Sequence, residues 1–347
     1  MKYNTLGKSD LKVSKVCLGT MTFGEQNTQA EAFQQLDFAV QNGVNFIDTA
    51  EMYPVPGRAE TVGETERIIG KWIKEQGKRE ELILASKVVG HSNTGLKYIR
   101  KGPDFSRKQI NQAIEGSLTN LQTDYLDLYQ LHWPKRDNNR FGVRLYPYNT
   151  NQEWEDNFLD IAHSMNQLIE KGQIRHWGVS NETSWGVMRF LSLCKDNGLV
   201  PPVSIQNAYG LLNRQFEYGL SEVCQFEGLG LMAYSPLAFG ALTGKYLNGQ
   251  QPTGARLTEY AIFNRFLNAR AMAATQAYKT LAENNSMSVV TMALAFVYQQ
   301  DFAHSTIIGA TNLSQLKENI AAEQVILSPE LIRQINQVFN EYPDAGL

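Results

Sequence analysis

The chain has 347 residues, 43% hydrophobic, 19% charged and 10% aromatic, enough to bury one large core or two modest ones. Its 32 Lys and Arg against 35 Asp and Glu leave a formal charge of −3, which gives no bulk reason to bind nucleic acid or an anionic membrane surface and favours small molecules as partners. Cys17, Cys194 and Cys224 are odd in number, far apart and without metal-ligand spacing, which argues against a disulfide framework and a structural zinc and fits a reducing cytoplasm.

At the N-terminus Lys2, Lys8, Lys12 and Lys15 have no apolar run of export-signal length behind them, so the chain is expected to stay in the cytoplasm. No window approaches the ~20 apolar residues of a membrane span, and mean hydropathy is −0.33. A leading hairpin is expected from Lys2–Thr5 and Lys12–Val13 across Gly7–Asp10. Short apolar, β-branched runs then recur at Val13–Leu18, Val44–Ile47, Leu82–Ala85, Tyr125–Leu131, Ile174–Val179, Val203–Ile205, Leu229–Tyr234 and Ser305–Ile308, eight candidate strands. They are nearly continuous and do not alternate, as strands covered on both faces should be.

Helical periodicity fills the gaps. Thr28–Asn42, Ser106–Asn120, Leu159–Lys171 and Thr183–Asn197 carry apolar residues at three- and four-residue spacing, and each is expected to close on a glycine before the next strand. Eight such units with right-handed crossovers close most simply into a (β/α)8 TIM barrel of about 250 residues. The surplus of roughly 100 residues falls to the hairpin, a Pro134–Trp154 insertion, a Ser235–Asn264 loop and a helix after Pro329, within one domain spanning 1–347. The rival doubly wound sheet lacks its GxGxxG after the first strand, where the glycines are Gly19 and Gly24.

In a barrel the C-terminal strand ends form the active-site mouth. Asp48 ends the second run with Tyr53 in the loop behind it, Lys87 ends the third, and His132 ends the fourth. Singly, each is most often a cap, a packing ring or a structural histidine; together, on consecutive strand ends, they describe a proton donor. Burying Lys87 requires an anionic partner, for which Asp48 is placed. The ammonium is expected to lower the Tyr53 phenol from its ordinary value of about 10, while His132 orients a carbonyl oxygen. That arrangement suits reduction of a carbonyl.

Side chains supply no hydride, so a cofactor is required. Ser180, Asn181, Gln206 and Asn207 at strand ends suit a carboxamide, and Tyr234 offers a ring face ahead of Ser235-Pro236-Leu237. Gly309-Ala310-Thr311 opens onto a helix start, a generic anion site. Lys245 and Arg256 are candidate phosphate clamps in the long loop.

These segments, together with Gly19-Thr20-Met21, Asp48-Thr49-Ala50-Glu51-Met52-Tyr53, Leu131-His132-Trp133-Pro134 and Gly309…Gln315…Glu318-Asn319, resemble the aldo-keto reductase family over essentially the whole chain. The likeness is nearest to its bacterial Tas-like branch and more distant to potassium-channel β subunits. It implies a (β/α)8 barrel, NADP(H) as cofactor and the tetrad Asp48, Tyr53, Lys87 and His132 acting on a small-molecule carbonyl substrate that also touches Trp133. By position it implies cofactor contacts from Gly19, Thr20, Met21, Asp48, Ser180, Asn181, Gln206, Tyr234, Ser235, Pro236, Leu237, Ala238, Gly240, Leu242, Gly244, Lys245, Arg256, Gly309, Thr311, Gln315, Glu318 and Asn319. Many members have Arg where Gln315 stands; a neutral amide cannot pair bidentately with a phosphate, so preference for NADPH rests on Lys245 and Arg256.

The Pro134–Trp154 insertion brings Arg136, Arg140, Arg144, Tyr146 and Tyr148 beside the mouth, which suggests acidic or polar carbonyl substrates. Two other functions fit the residues: a Schiff-base aldolase using Lys87, and a nicotinamide-binding regulatory subunit with vestigial turnover.

Overall fold

The computed structural model describes residues 1–91, 95–152 and 155–347. Two short strands, β1 (Tyr3–Thr5) and β2 (Lys12–Ser14), pair antiparallel with Asn4 opposite Val13. Eight parallel strands follow: β3 (Val16–Gly19), β4 (Phe46–Asp48), β5 (Ile83–Val88), β6 (Leu126–Leu131), β7 (Ile174–Ser180), β8 (Ser204–Ala208), β9 (Gly230–Tyr234) and β10 (Ala303–Ile308). They close in the order β10-β3-β4-β5-β6-β7-β8-β9. This is the expected (β/α)8 TIM barrel.

Helices α1 (Gln29–Gln41), α2 (Glu64–Gln76), α3 (Arg107–Leu121), α4 (Phe158–Glu170), α5 (Ser184–Asn197) and α6 (Leu220–Glu227) follow successive strands from β3 to β8. Between β9 and β10 lie α7 (Arg256–Glu259), α8 (Ala269–Asn284) and α9 (Val289–Tyr298); α10 (Leu313–Ala321) and α11 (Pro329–Glu341) end the chain. Thr28 caps α1 in a reciprocal box with Glu31, and Ser106 and Thr183 accept from the backbone N–H groups of Gln109 and Gly186. These bonds satisfy donors that a helix start leaves orphaned.

Three expectations need correction. The run Val13–Leu18 is two strands, because the chain turns at Lys15, whose ammonium donates to the carbonyls of Gln300 (3.2 Å) and Ala303 (2.5 Å) at the foot of β10. The helix from Ser106 closes on Gln122, left-handed at φ 52°, and not on a glycine. The stretch after Tyr234 is a series of short helical turns running on to Leu267. Trp154, the far end assigned to the insertion, lies outside the described residues.

Among the described residues two large apolar cores position the mouth, with a third small cluster of Val89, Ile99 and Trp133 beside it. The larger lies between strands and helices; the second fills the barrel and joins Leu6, Leu11 and Val13 of the hairpin region to Cys17, Phe46, Ala85, Leu128, Val203 and Met232. The hairpin thus plugs the N-terminal end, and the opposite end carries polar side chains at or next to the strand ends, among them Asp48, Lys87, His132, Ser180 and Tyr234.

Candidate active site

Asp48 is the last residue of β4, Lys87 the fifth of six in β5, and His132 follows β6. Lys87 Nζ donates to Asp48 Oδ2 at 2.6 Å and to the Thr49 carbonyl at 2.8 Å, with the lysine fully buried. Asp48 Oδ1 accepts from Gln130 Nε2 (3.1 Å) and Gln206 Nε2 (2.9 Å), and Gln206 Nε2 also reaches Gln130 Oε1 at 3.0 Å. A buried charge pair is tolerable only when its remaining lone pairs are filled; the two amides fill them. Gln130, opposite Lys87 in the β5–β6 register, was not legible in the sequence, because it looks like a polar interruption of an apolar run.

Tyr53 is held on both sides: its own N–H donates to Ala50 (3.0 Å) and its carbonyl accepts from Gly63 (3.0 Å). The Lys87 ammonium lies 5.0 Å from the ring centroid, and its charge acts on the phenol. The His132 ring stands edge-on at 5.8 Å and 76°. The structure therefore brings all four residues together.

The direction of the Tyr53 shift differs from expectation. Burial raises its pKa; Lys87 pulls the other way without prevailing, and Asp48 adds to the rise. The phenol is thus a fully protonated donor at neutral pH. Burial opposes the charge on Lys87, yet Asp48 and Tyr53 together raise its pKa and keep it an ammonium. A Schiff-base nucleophile needs a free amine, so this site disfavours the aldolase alternative. Burial and then the Lys87 charge hold His132 well below the usual imidazole range, leaving it neutral.

Around this centre the polar strand ends tie to one another. Ser180 Oγ donates to the Gln206 carbonyl (2.7 Å), Asn181 Nδ2 to the His132 carbonyl (2.8 Å), and Tyr234 Oη to Asn181 Oδ1 (2.6 Å). Burial pushes the Tyr234 phenol up to about 12. Thr20 Oγ1 donates to the Asp48 carbonyl (2.9 Å), Gly19 pairs with Asp48 across β3–β4, and the Met21 carbonyl accepts from Val55. Trp133 Nε1 donates to the His91 carbonyl (2.9 Å), and its ring lies 4.6 Å from that of His132.

The loop after Tyr234 folds on itself: Ala238 N–H donates to Ser235, and both Gly240 and Leu242 donate to Leu237. Gly240 and Gly244 adopt φ 89° and 83°, backbone open to glycine and strained for other residues. Ala238, Pro236 and Leu242 are buried within it. Lys245 and Arg256 are half-buried, and among the described residues neither forms an ion pair. Burial, reinforced for Lys245 by Arg256, lowers both.

At the end of β10, Asn312 caps α10, accepting from the Gln315 N–H (3.0 Å). Gln315 Oε1 accepts from Thr311 N–H (3.0 Å) and Oγ1 (3.2 Å), Asn319 Nδ2 donates to the Gly309 carbonyl (3.3 Å), and Glu318 accepts from Ser288 (2.6 Å). Thr311 is thus joined to Gln315 and Asn319 to Gly309, while Glu318 turns to Ser288.

With this geometry in view, the kinship of the chain is decided by comparison. A family model described as Aldo/keto reductase family matches residues 15–340. The chain belongs to the aldo/keto reductase family. The protein named Protein tas of Escherichia coli (strain K12) is 48% identical over 99% of both chains. An Aldo-keto reductase of Babesia bovis is 36% identical over 76% of this chain and 98% of its own, and the Uncharacterized oxidoreductase YrpG of Bacillus subtilis (strain 168) 31% over 99% of both. Membership supports an oxidoreductase, and in this aldo/keto reductase the Asp48, Tyr53, Lys87 and His132 cluster is the candidate centre. No helix among the described residues is long and apolar enough to cross a membrane.

Proposed function

We propose that this aldo/keto reductase is an NADP(H)-dependent carbonyl reductase, with Tyr53 as general acid. The supporting observation is a buried, protonated Tyr53 phenol whose ring lies 5.0 Å from an ammonium that Asp48 holds in place, beside a neutral imidazole. The cofactor, when bound, supplies the hydride. His132 donates an N–H to the carbonyl oxygen and aligns it with Tyr53 Oη; Tyr53 passes its proton to the developing alkoxide as charge builds. Lys87 stabilises the resulting phenolate, and Asp48, fixed by Gln130 and Gln206, keeps Lys87 charged.

The residues present fit a phosphorylated nicotinamide cofactor. Lys245 and Arg256 are partly desolvated cations without carboxylate partners among the described residues, the state in which an anion is held most strongly. Tyr234, anchored through Asn181, presents a ring to a flat heterocycle, and Ser180, Asn181 and Gln206 lie beside it for a carboxamide. Oxidation of NADPH and of NADH against a panel of aldehydes and ketones tests the reading. Wild type is expected to reduce several of them, and Tyr53→Phe to lose about two to four orders of magnitude in kcat. Tyr53→Phe activity equal to wild type would remove the assignment, and tight NADPH binding without turnover of any carbonyl would indicate a regulatory subunit.

A further inference from the structure

Beside Tyr234 the barrel mouth opens into a cavity of about 400 Å³, walled by the 138–145 stretch of the insertion, the strand ends at Asn181 and Asn207, and Arg265. Three arginines line it without an ion-pair partner among the described residues; Arg144 is exposed, and Arg140 and Arg265 are half-buried. Arg140 Nη1 donates only to the Arg136 carbonyl (3.0 Å) and Asn138 Oδ1, and its guanidinium lies 5.8 Å over the Phe141 ring. Arg265 stacks on Phe266 at 4.7 Å and on Phe239 at 5.4 Å, with its stem against Gly142. Both are half-buried and line this one cavity together with Tyr234.

The carboxylates lining the same cavity are spent elsewhere. Glu182 pairs with Arg136 at 2.5 and 2.8 Å, and Asp344 accepts from the Arg214 N–H and from Tyr218. Of the three insertion arginines, Arg136 is therefore neutralised, Arg144 is exposed with its guanidinium donating to the Pro343 carbonyl, and Arg140 is half-buried without an ion pair among the described residues. A continuous wall leads from Tyr53 to it: Tyr53 to His132 at 5.8 Å, His132 to Trp133 at 4.6 Å, Trp133 to Phe141 at 6.3 Å, then Arg140 over Phe141. Two desolvated guanidiniums at one end of an aromatic wall and a proton donor at the other match a molecule with an anionic group at one end and a carbonyl at the other.

The geometry points to a substrate-anion subsite formed by Arg140 and Arg265, which selects carbonyl compounds bearing a carboxylate or phosphate. This rests on the carbonyl-reductase reading above. Fork-shaped, charge-assisted hydrogen bonds at such a site discriminate by about 10- to 100-fold between a substrate that offers the anion and one that lacks it.

The test compares matched pairs: succinic and adipic semialdehydes against butanal and hexanal for carboxylate, and glycolaldehyde phosphate against glycolaldehyde for phosphate. In wild type the anionic member of at least one pair is expected to have kcat/KM about 10- to 100-fold above its neutral partner, and the preferred pair identifies the anion. In Arg140→Gln and Arg265→Gln that ratio falls about tenfold or more, chiefly through KM. Should a variant fail to fold, succinate is tested as an inhibitor of wild type: competition with hexanal supports the subsite, and its absence counts against it. Equal rates within every pair, or ratios untouched by both substitutions, overturn the subsite while leaving the reductase reading intact; loss of all carbonyl reduction in wild type overturns that reading instead.

Discussion

Lys87 Nζ and Asp48 Oδ2 meet at 2.6 Å where water does not reach, and the ring centroid of Tyr53 lies 5.0 Å from the same ammonium. One buried ion pair thus serves two purposes: it offsets the cost of bringing Lys87 inside the barrel, and it sets the charge beside the proton donor. Removing either partner leaves a charge uncompensated, a larger loss than removing both.

Lys87→Met is therefore expected to destabilise the fold by about 3–5 kcal/mol, read as a lower denaturation midpoint in urea. Lys87→Met with Asp48→Asn recovers most of that stability but none of the activity. If the double variant unfolds as readily as the single one, the pair does not compensate in the way described.

The pH dependence of stability carries the sign of His132. Folded, the ring stays neutral well below the ordinary imidazole value of about 6.5. Unfolded, it takes a proton below that value, so its contribution is complete above pH ~6.5 and is lost as pH falls, at up to about 1.4 kcal/mol per pH unit. His304, also lowered by burial, acts in the same sense, whereas the buried and raised Glu51 and Glu66 act in the opposite one. The difference between wild type and His132→Gln isolates the ring: their unfolding free energies should diverge between pH 7.5 and 5.5 with the steeper loss in wild type.

Carbonyl reduction should show no acid–base limb from Tyr53 across neutral pH. Its pKa lies above the ordinary 10, so kcat/KM is expected to stay level to about pH 9 and to fall only beyond the phenol's own titration. A limb near pH 7 that disappears in Tyr53→Phe would contradict the protonated state assigned to it.

A latch joins the long loop to the turn before α1. Tyr260 Oη donates to Glu25 (3.1 Å), Gln26 Nε2 to the Gly254 carbonyl (3.3 Å), and Arg256 Nε to Gln26 Oε1 (3.4 Å). Gln26→Ala with Tyr260→Phe removes these three bonds at ~0.5–1.5 kcal/mol each. NADPH release, followed by stopped-flow fluorescence, should quicken by about tenfold or more, and kcat should rise if release limits turnover. Unchanged release would place cofactor retention elsewhere.

Lys245→Ala and Arg256→Ala should each weaken NADPH by about tenfold in fluorescence titration. NADH affinity will fall equally if they hold the pyrophosphate, and much less if they hold the extra phosphate. Gln315→Arg should strengthen NADPH selectively if the 2′-phosphate lies at the start of α10.

Much of this was legible because strands covered on both faces leave an unmistakable apolar signature. Once β4, β5 and β6 are placed as continuous runs, the polar residues that end them, Asp48, Lys87 and His132, stand out, and a buried lysine calls for a carboxylate. Tyr53, in a loop without periodicity, stood out only beside those three and through the family likeness. Gln130 and Arg265 were not legible. The first reads as a flaw in an apolar strand, and the second reaches the mouth from a segment more than a hundred residues from the insertion it faces.

The order of β and α segments, and hence the barrel and the strand ends that form its mouth, follows from the amino-acid sequence, because burial on one or two faces writes a local period into the chain. Which charges cancel is decided by folding alone. Arg136 is quenched by Glu182 while Arg140 and Arg265 form no ion pair among the described residues, and burial outweighs Lys87 in raising Tyr53. Coulomb and desolvation energies depend on distances through space and on the water excluded, and neither is a property of neighbouring residues along the chain.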